Sequence, residues 1–277
     1  MSSAPILVVE HEPTCPVGWM GEWLLEAGAS LDVRRPRSGD ELPGDLSEHA
    51  GLLVLGGSMG AYDEAACPWL GPVKGLLRRA AEDGAPALGI CLGHQLAAVA
   101  LGGTVVRNPR GQQIGVLEVG WLPEAREDRL LGPLVGDSPA VQWNNDIVVE
   151  LPPDAVPLAR TPTSELQAAR FAPTVWGVQW HPEAGEHIVR PWAKEDRDQA
   201  IERGVDVDSY VADVAAATDP LRRTWSVLAR QLAALVLTDV VSETRPIRRG
   251  SRTDVVSETR PIRRGSRTDI GKDPVQP

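Results

Sequence analysis

The sequence predicts an α/β protein built on an open, mostly parallel sheet covered by helices, and three observations carry that prediction. Short, almost wholly apolar runs at 5–9, 51–55 and 86–90 have the length and composition of strands buried on both faces. Segments with apolar residues at helical spacing alternate with these runs through short connections, as in β-α-β units. From about residue 104 to 180 the pattern changes to short strands separated by turns.

Taken in order, Pro5 to Val9 reads as the first buried strand. The segment from Pro16 to Ala27 places Trp19, Met20, Trp23, Leu24 and Leu25 at helical spacing and stops at Gly28. After the strand at 51–55, a helix over about 72–83 follows, with Leu70, Val73, Leu76, Leu77 and Ala80 on one face. The strand at 86–90 runs almost directly into a helix over Gln95 to Leu101. Short strands then fall at 115–119, 140–143, 147–151, 166–171 and 174–179, and beyond Glu183 the chain turns helical. Asp219 followed by Pro220 reads as an N-cap and a first helical residue. Leu221, Trp225, Leu228, Leu232 and Leu235 then form one stripe of a last helix that should dock on the sheet. Nine tryptophans against one phenylalanine are read as packing.

The stretch that carries most chemistry is Gly89-Ile90-Cys91-Leu92-Gly93-His94-Gln95. A cysteine with a glycine two residues to either side, set between a strand and a helix, is a nucleophile elbow. The tight turn leaves no room for a Cβ at the glycines, and the helix N-terminus favours thiolate over thiol. Cys15 and Cys67 lack such a frame and read as small buried hydrophobes. No spacing among the three cysteines supports a disulfide framework or a zinc site, so a reduced compartment is expected.

A thiolate nucleophile needs a histidine, and the histidine a third group to orient it. Of five histidines only His181 supplies that context: the strand run Val175 to Trp180 ends in His181-Pro182-Glu183. In an extended segment residues i and i+2 point the same way, so Glu183 can lie beside His181. His94 reads as elbow support. The Leu92 amide, directly after the nucleophile, is a natural oxyanion donor. The strand at 51–55 ends in Gly56-Gly57-Ser58, a turn that can bring a backbone N–H close to a ligand.

These three segments, in this order, resemble the class I glutamine amidotransferases, whose fold is flavodoxin-like. Within that family the chain is most similar to stand-alone proteins resembling the amidotransferase domain of GMP synthase. The likeness covers about residues 5 to 237. It implies Cys91 as nucleophile, His181 as base and Glu183 as its orienter, with Gly57 and Leu92 as oxyanion amides. It also implies substrate contacts from Gln95, Gly56 and Asp146. The last lies in Gln142-Trp143-Asn144-Asn145-Asp146, where those relatives carry a His-x-Asp element. Two positions depart from the relatives: Asn144 stands in place of histidine and Trp180 in place of phenylalanine.

What the resemblance implies is a glutaminase that forms a γ-glutamyl thioester, needs no metal or organic cofactor, and releases ammonia to a separate synthase or acceptor subunit. Two other readings stay open: a γ-glutamyl hydrolase or peptidase of the same fold, and a catalytically silent regulatory partner.

The chain divides near Leu237. From Thr238 a 15-residue unit repeats identically at 253–267, and a third copy begins and dissolves. The units offer no apolar face at period 2 or 3.6, so 1–237 is expected to form the amidotransferase domain and 238–277 a disordered tail. Net charge is −10, and without the tail the remainder carries 19 basic against 32 acidic residues. An acidic body argues against nucleic-acid partners. No apolar run reaches membrane-spanning length and the first residues do not form a signal peptide, so a cytoplasmic protein with no membrane association is expected.

Overall fold

The computed structural model describes residues 4–202 and 204–238; the repeats and nearly all of the expected tail lie outside them. A seven-stranded sheet forms the centre. Its parallel part comprises β1 (Ile6–Val9), β2 (Leu31–Arg34), β3 (Gly51–Val54), β4 (Ala87–Ile90) and β11 (Val175–Val178). Two antiparallel strands, β10 (Leu166–Ala172) and β9 (Val156–Arg160), extend it, giving the order β2-β1-β3-β4-β11-β10-β9. Two short ribbons stand apart: β5 (Thr104–Arg107) with β8 (Asp146–Glu150), and β6 (Gln113–Glu118) with β7 (Pro139–Asn144).

Continuous apolar strands pack on both faces because successive side chains alternate. On one face Ile6, Val8, Leu53, Leu88 and Ile90 meet α1 (Gly18–Glu26) and α7 (Thr218–Thr238). On the other, Leu7, Val9, Leu52, Val54 and Ala87 meet α2 (Leu70–Asp83) and α3 (Leu92–Ala100). The expected α2 face, Leu70 to Ala80, is buried throughout, as are Leu221, Trp225, Leu228 and Leu232 of α7, whereas Leu235 is half-buried. No helix among the described residues is long and apolar enough to cross a membrane.

Four details differ from the sequence reading. Strand β2 is half-buried over its whole length and β9 contains Pro157 at a sheet edge, so neither carries the apolar run of a central strand. The elbow helix starts at Leu92, directly after Cys91. Asp219 does not cap α7: the Leu221 amide donates to the Ala217 carbonyl, so the helix begins earlier and Pro220 sits within its first turn. That turn still tolerates proline, since its amides lack intrahelical acceptors. The helix also runs to Thr238, one residue past the expected boundary.

Candidate active site

The C-terminal ends of β1, β3, β4 and β11 converge on one edge of the sheet, where open parallel sheets bind ligands. Each strand end delivers one part of the site: Glu12 after β1, Gly56 and Gly57 after β3, Cys91 after β4, and His181 after β11.

Cys91 occupies the elbow with φ 50° and ψ −104°, a left-sided conformation rare for a residue with a Cβ. Such a backbone costs about 1–3 kcal/mol and persists only where its surroundings over-determine it. Here they do. The Cys91 amide donates to the Val178 carbonyl at 2.9 Å, and the Gln95 amide donates to the Cys91 carbonyl at 3.1 Å. A Cβ on Gly89 would lie 2.3 Å from the Gly93 carbonyl oxygen, and one on Gly93 would lie 2.1 Å from the Val54 carbonyl oxygen. The glycine frame is a steric necessity.

His181 and Glu183 meet, with Nδ1 2.7 Å from Oε1, and both are buried. The local cause differs from the expected strand alternation. Strand β11 ends at Val178, and His181 to Glu183 form a turn, pinned by donation of the His181 amide to the Val141 carbonyl at 2.8 Å. The imidazole also lies beside Cys91, and both side chains line the same cavity. Burial alone would lower the His181 pKa, but the Glu183 carboxylate and the Cys91 thiolate outweigh it and raise the value to about 10. The imidazole is therefore held protonated at neutral pH.

Gly56 packs directly against His181 and Cys91: a Cβ there would lie 3.0 Å from His181 Cε1 and 3.6 Å from the Cys91 Cβ. Among the described residues, neither the Gly57 nor the Leu92 amide donates to an acceptor. Both thus remain available to an oxyanion.

The loop is held by Glu12, which the sequence reading missed. Its carboxylate accepts from the Ser58 amide and the Ser58 hydroxyl, each at 2.8 Å, and pairs with Arg37 at 3.3 Å. Cys15 is buried as expected, but it faces the site. Its thiol lies 3.5 Å from Glu12, and burial together with the nearby carboxylates and Cys91 pushes its pKa far up, so it stays a neutral thiol.

A cavity of about 530 Å³ opens above Cys91. Gln95 lines it and donates through Nε2 to the Asp146 carbonyl at 3.1 Å and to Gln179 Oε1 at 3.3 Å. Asp146 lies 4.0 Å from Arg107, and its pKa is raised by burial against the opposing pull of that guanidinium. Arg107 was not singled out in the sequence, since an arginine ending a short strand carries no motif. Trp143 and Trp192 also line the cavity, so these two tryptophans do more than fill core. Trp192 packs against His181 at a tilt of 56°, with ring centroids 4.6 Å apart.

His94 is fully buried beside Phe171, and desolvation lowers its pKa to about 3. It supports the elbow from below. His11 is likewise buried and neutral, accepting from the Trp69 indole at 3.2 Å, with its pKa lowered to about 4 by burial.

A doubly wound sheet with a cysteine elbow and an adjoining histidine–carboxylate pair defines a class of α/β enzymes. The family model for glutamine amidotransferase class-I matches residues 21–189, more than half of the chain, and the protein belongs to that family. It is 33% identical over 184 residues to GMP synthase [glutamine-hydrolyzing] of Aeropyrum pernix, spanning 61% of this chain but only 32% of that protein. It is 27% identical over 216 residues to gamma-glutamyl peptidase 5 of Arabidopsis thaliana, covering 74% of this chain and 82% of the relative. Among solved structures, a glutamine amidotransferase from Thermotoga maritima aligns with a TM-score of 0.74 at 25% identity. That alignment covers 85% of this chain and 99% of that one.

Proposed function

We propose that the protein is a cysteine-dependent hydrolase of γ-glutamyl amides, with glutamine as the leading substrate and the released ammonia passing to a separate acceptor protein. The observation that carries this reading is the buried 2.7 Å contact of Glu183 with His181, which in turn lies beside the strained Cys91. The Cys91 thiolate attacks the side-chain carbonyl carbon, and the Gly57 and Leu92 amides stabilise the oxyanion. His181 gives its proton to the leaving nitrogen as the C–N bond breaks, leaving a γ-glutamyl thioester. Water then loses a proton to the neutral His181 and attacks the thioester, releasing glutamate and restoring the thiolate–imidazolium pair. Glu183 keeps the Nδ1 proton in place throughout.

At the other end of the substrate, Arg107 suits the α-carboxylate and Asp146 the α-ammonium, with Gln95 and Gly56 shaping the pocket between. A thiolate nucleophile is compatible with a cytoplasmic location, where thiols stay reduced.

A second reading, a γ-glutamyl hydrolase or peptidase, is favoured by the roomy cavity and by the likeness to the Arabidopsis peptidase over 82% of its length.

The test is ammonia release from glutamine by the full chain and by Cys91→Ala, combined with labelling by a glutamine-like diazoketone. Turnover should vanish in the variant while the melting temperature holds, and label should sit on Cys91. Label on Cys15, which shares the cavity, would overturn the assignment.

A further inference from the structure

The cavity is larger and more acidic than the release of ammonia requires. Five carboxylates, those of Glu12, Asp63, Asp146, Glu195 and Asp196, line it against two cationic side chains among the described lining residues, Arg107 and the protonated His181. Glu12 is taken up by Ser58 and Arg37, and the other four fall into two groups. Asp146 senses both Arg107 and Asp63, so these three cluster at one end, where a zwitterionic γ-glutamyl head finds a partner for each charge.

The other group lies on the His181 side. His181 protonates the leaving nitrogen, so whatever that nitrogen carries must extend past the His181 ring. The wall there begins with Trp192, tilted against His181, and continues to Trp143, whose ring centroid is 6.1 Å from that of Trp192. The Trp143 indole donates to Asp196 at 3.0 Å. Glu195 and Asp196 sit at the C-terminal end of α4 (Glu186–Glu195), where the helix dipole adds further negative potential. Neither carboxylate is paired with a cationic side chain among the described residues.

A separate observation also points to a ligand donor. Asn144 lines the same cavity and is only 3% exposed; its Nδ2 donates to Gln113 at 3.0 Å and to the Asp146 carbonyl at 3.2 Å. Its Oδ1 has no partner among the described residues. Such an acceptor stays unpaired at a cost until a small side-chain shift opens it to a donor, and the bond to the Asp146 carbonyl places it at the γ-glutamyl end of the cavity.

We infer that the site accepts γ-glutamyl amides of amines that carry a second, cationic group, with indole faces and the Glu195–Asp196 carboxylates receiving that cation. This rests on the γ-glutamyl hydrolase chemistry above and names the leaving group of the same reaction. The amide C–N bond breaks as the C–S bond forms, His181 supplies the proton, and a diamine departs where glutamine would yield ammonia.

The experiment compares kcat/KM of the full chain on four substrates: glutamine and the γ-glutamyl amides of 1,3-diaminopropane, propylamine and β-alanine. The last three share a three-carbon chain and differ in terminal charge. The diamine conjugate should exceed the propylamide by roughly tenfold, the size expected of two part-exposed carboxylates, and the β-alanine conjugate should be poorest. The ratio of diamine conjugate to propylamide should fall toward unity in Glu195→Gln/Asp196→Asn and, for the wild type, in high salt. Single variants serve if the double variant does not fold. Equal rates on charged and neutral amides, or a ratio unmoved by these variants, would overturn the inference while hydrolysis of glutamine left the parent reading standing. Inertness toward all four substrates would overturn both.

Discussion

The elbow at Cys91 and the loop at Gly56–Ser58 face each other across the candidate site, yet they are held in shape by different means. The elbow is fixed by backbone sterics. Gly89 and Gly93 pass so close to neighbouring carbonyls that no side chain fits, and Cys91 is forced to a positive φ. The loop is fixed by one distant carboxylate: Glu12 accepts both Ser58 donors. A turn locked by packing can change only with the fold. A turn held by hydrogen bonds can be loosened while the fold stays intact. The comparison therefore predicts that damage to the elbow registers first in stability, and damage to the loop first in rate.

The largest effect should come from Gly93→Ala. Its Cβ would sit 2.1 Å from the Val54 carbonyl oxygen, so strand β3 and helix α3 must separate. A loss on the order of 3 kcal/mol or more is expected, together with loss of activity. Thermal unfolding measures it, and a variant that melts like the wild type would show the elbow to be softer than its contacts imply.

Glu12→Ala should be intermediate and of the opposite character. The Ser58 donors lose their acceptor, the Gly57 amide is no longer aimed, and kcat should fall by up to about 10²–10³ with KM little changed. Glu12→Gln, which keeps one acceptor oxygen, should lose less. An unchanged kcat in Glu12→Ala would mean that the loop holds itself.

The smallest effect is a shift in pH dependence. His181 titrates at about 10 in the folded protein, above its ordinary 6.5, because Glu183 and the Cys91 thiolate outweigh burial. The stabilisation this gives is fully present below about pH 6.5 and is lost as pH rises through about 10. Removing the carboxylate in Glu183→Gln takes away one of the two anions. The alkaline limb of the kcat/KM profile should therefore move toward neutral pH, with a modest loss of rate at its maximum. A limb that stays put in the variant would assign that ionisation to another group.

How much of this was legible in the sequence follows the same division. The elbow could be read from seven consecutive residues because its constraints are local. The His181–Glu183 pair could be read from spacing, although the turn after β11, not an extended strand, brings the two together. The Gly56-Gly57 turn was legible, but its anchor was not, since Glu12 lies 46 residues away from Ser58 and carries no motif. Cys15 was read correctly as buried and its facing of the cavity was missed, because burial is set by composition and orientation by packing.

Residue pattern alone gave four of the five parallel strands, the helices that cover them and the cysteine framed by two glycines, while half-buried β2 escaped it. Each of those follows from apolar periodicity or from sterics within a few residues. What surrounds the cysteine comes from long-range packing: the clamp on the Gly57 loop, Arg107 opposite Asp146, and the wall of Trp192, Trp143 and Asp196. Asp196 meets the Trp143 indole across 53 residues of chain. That contact joins a ribbon strand to a helix end, elements far apart in sequence that the fold brings together, and no local pattern of residues encodes which charges then face one another.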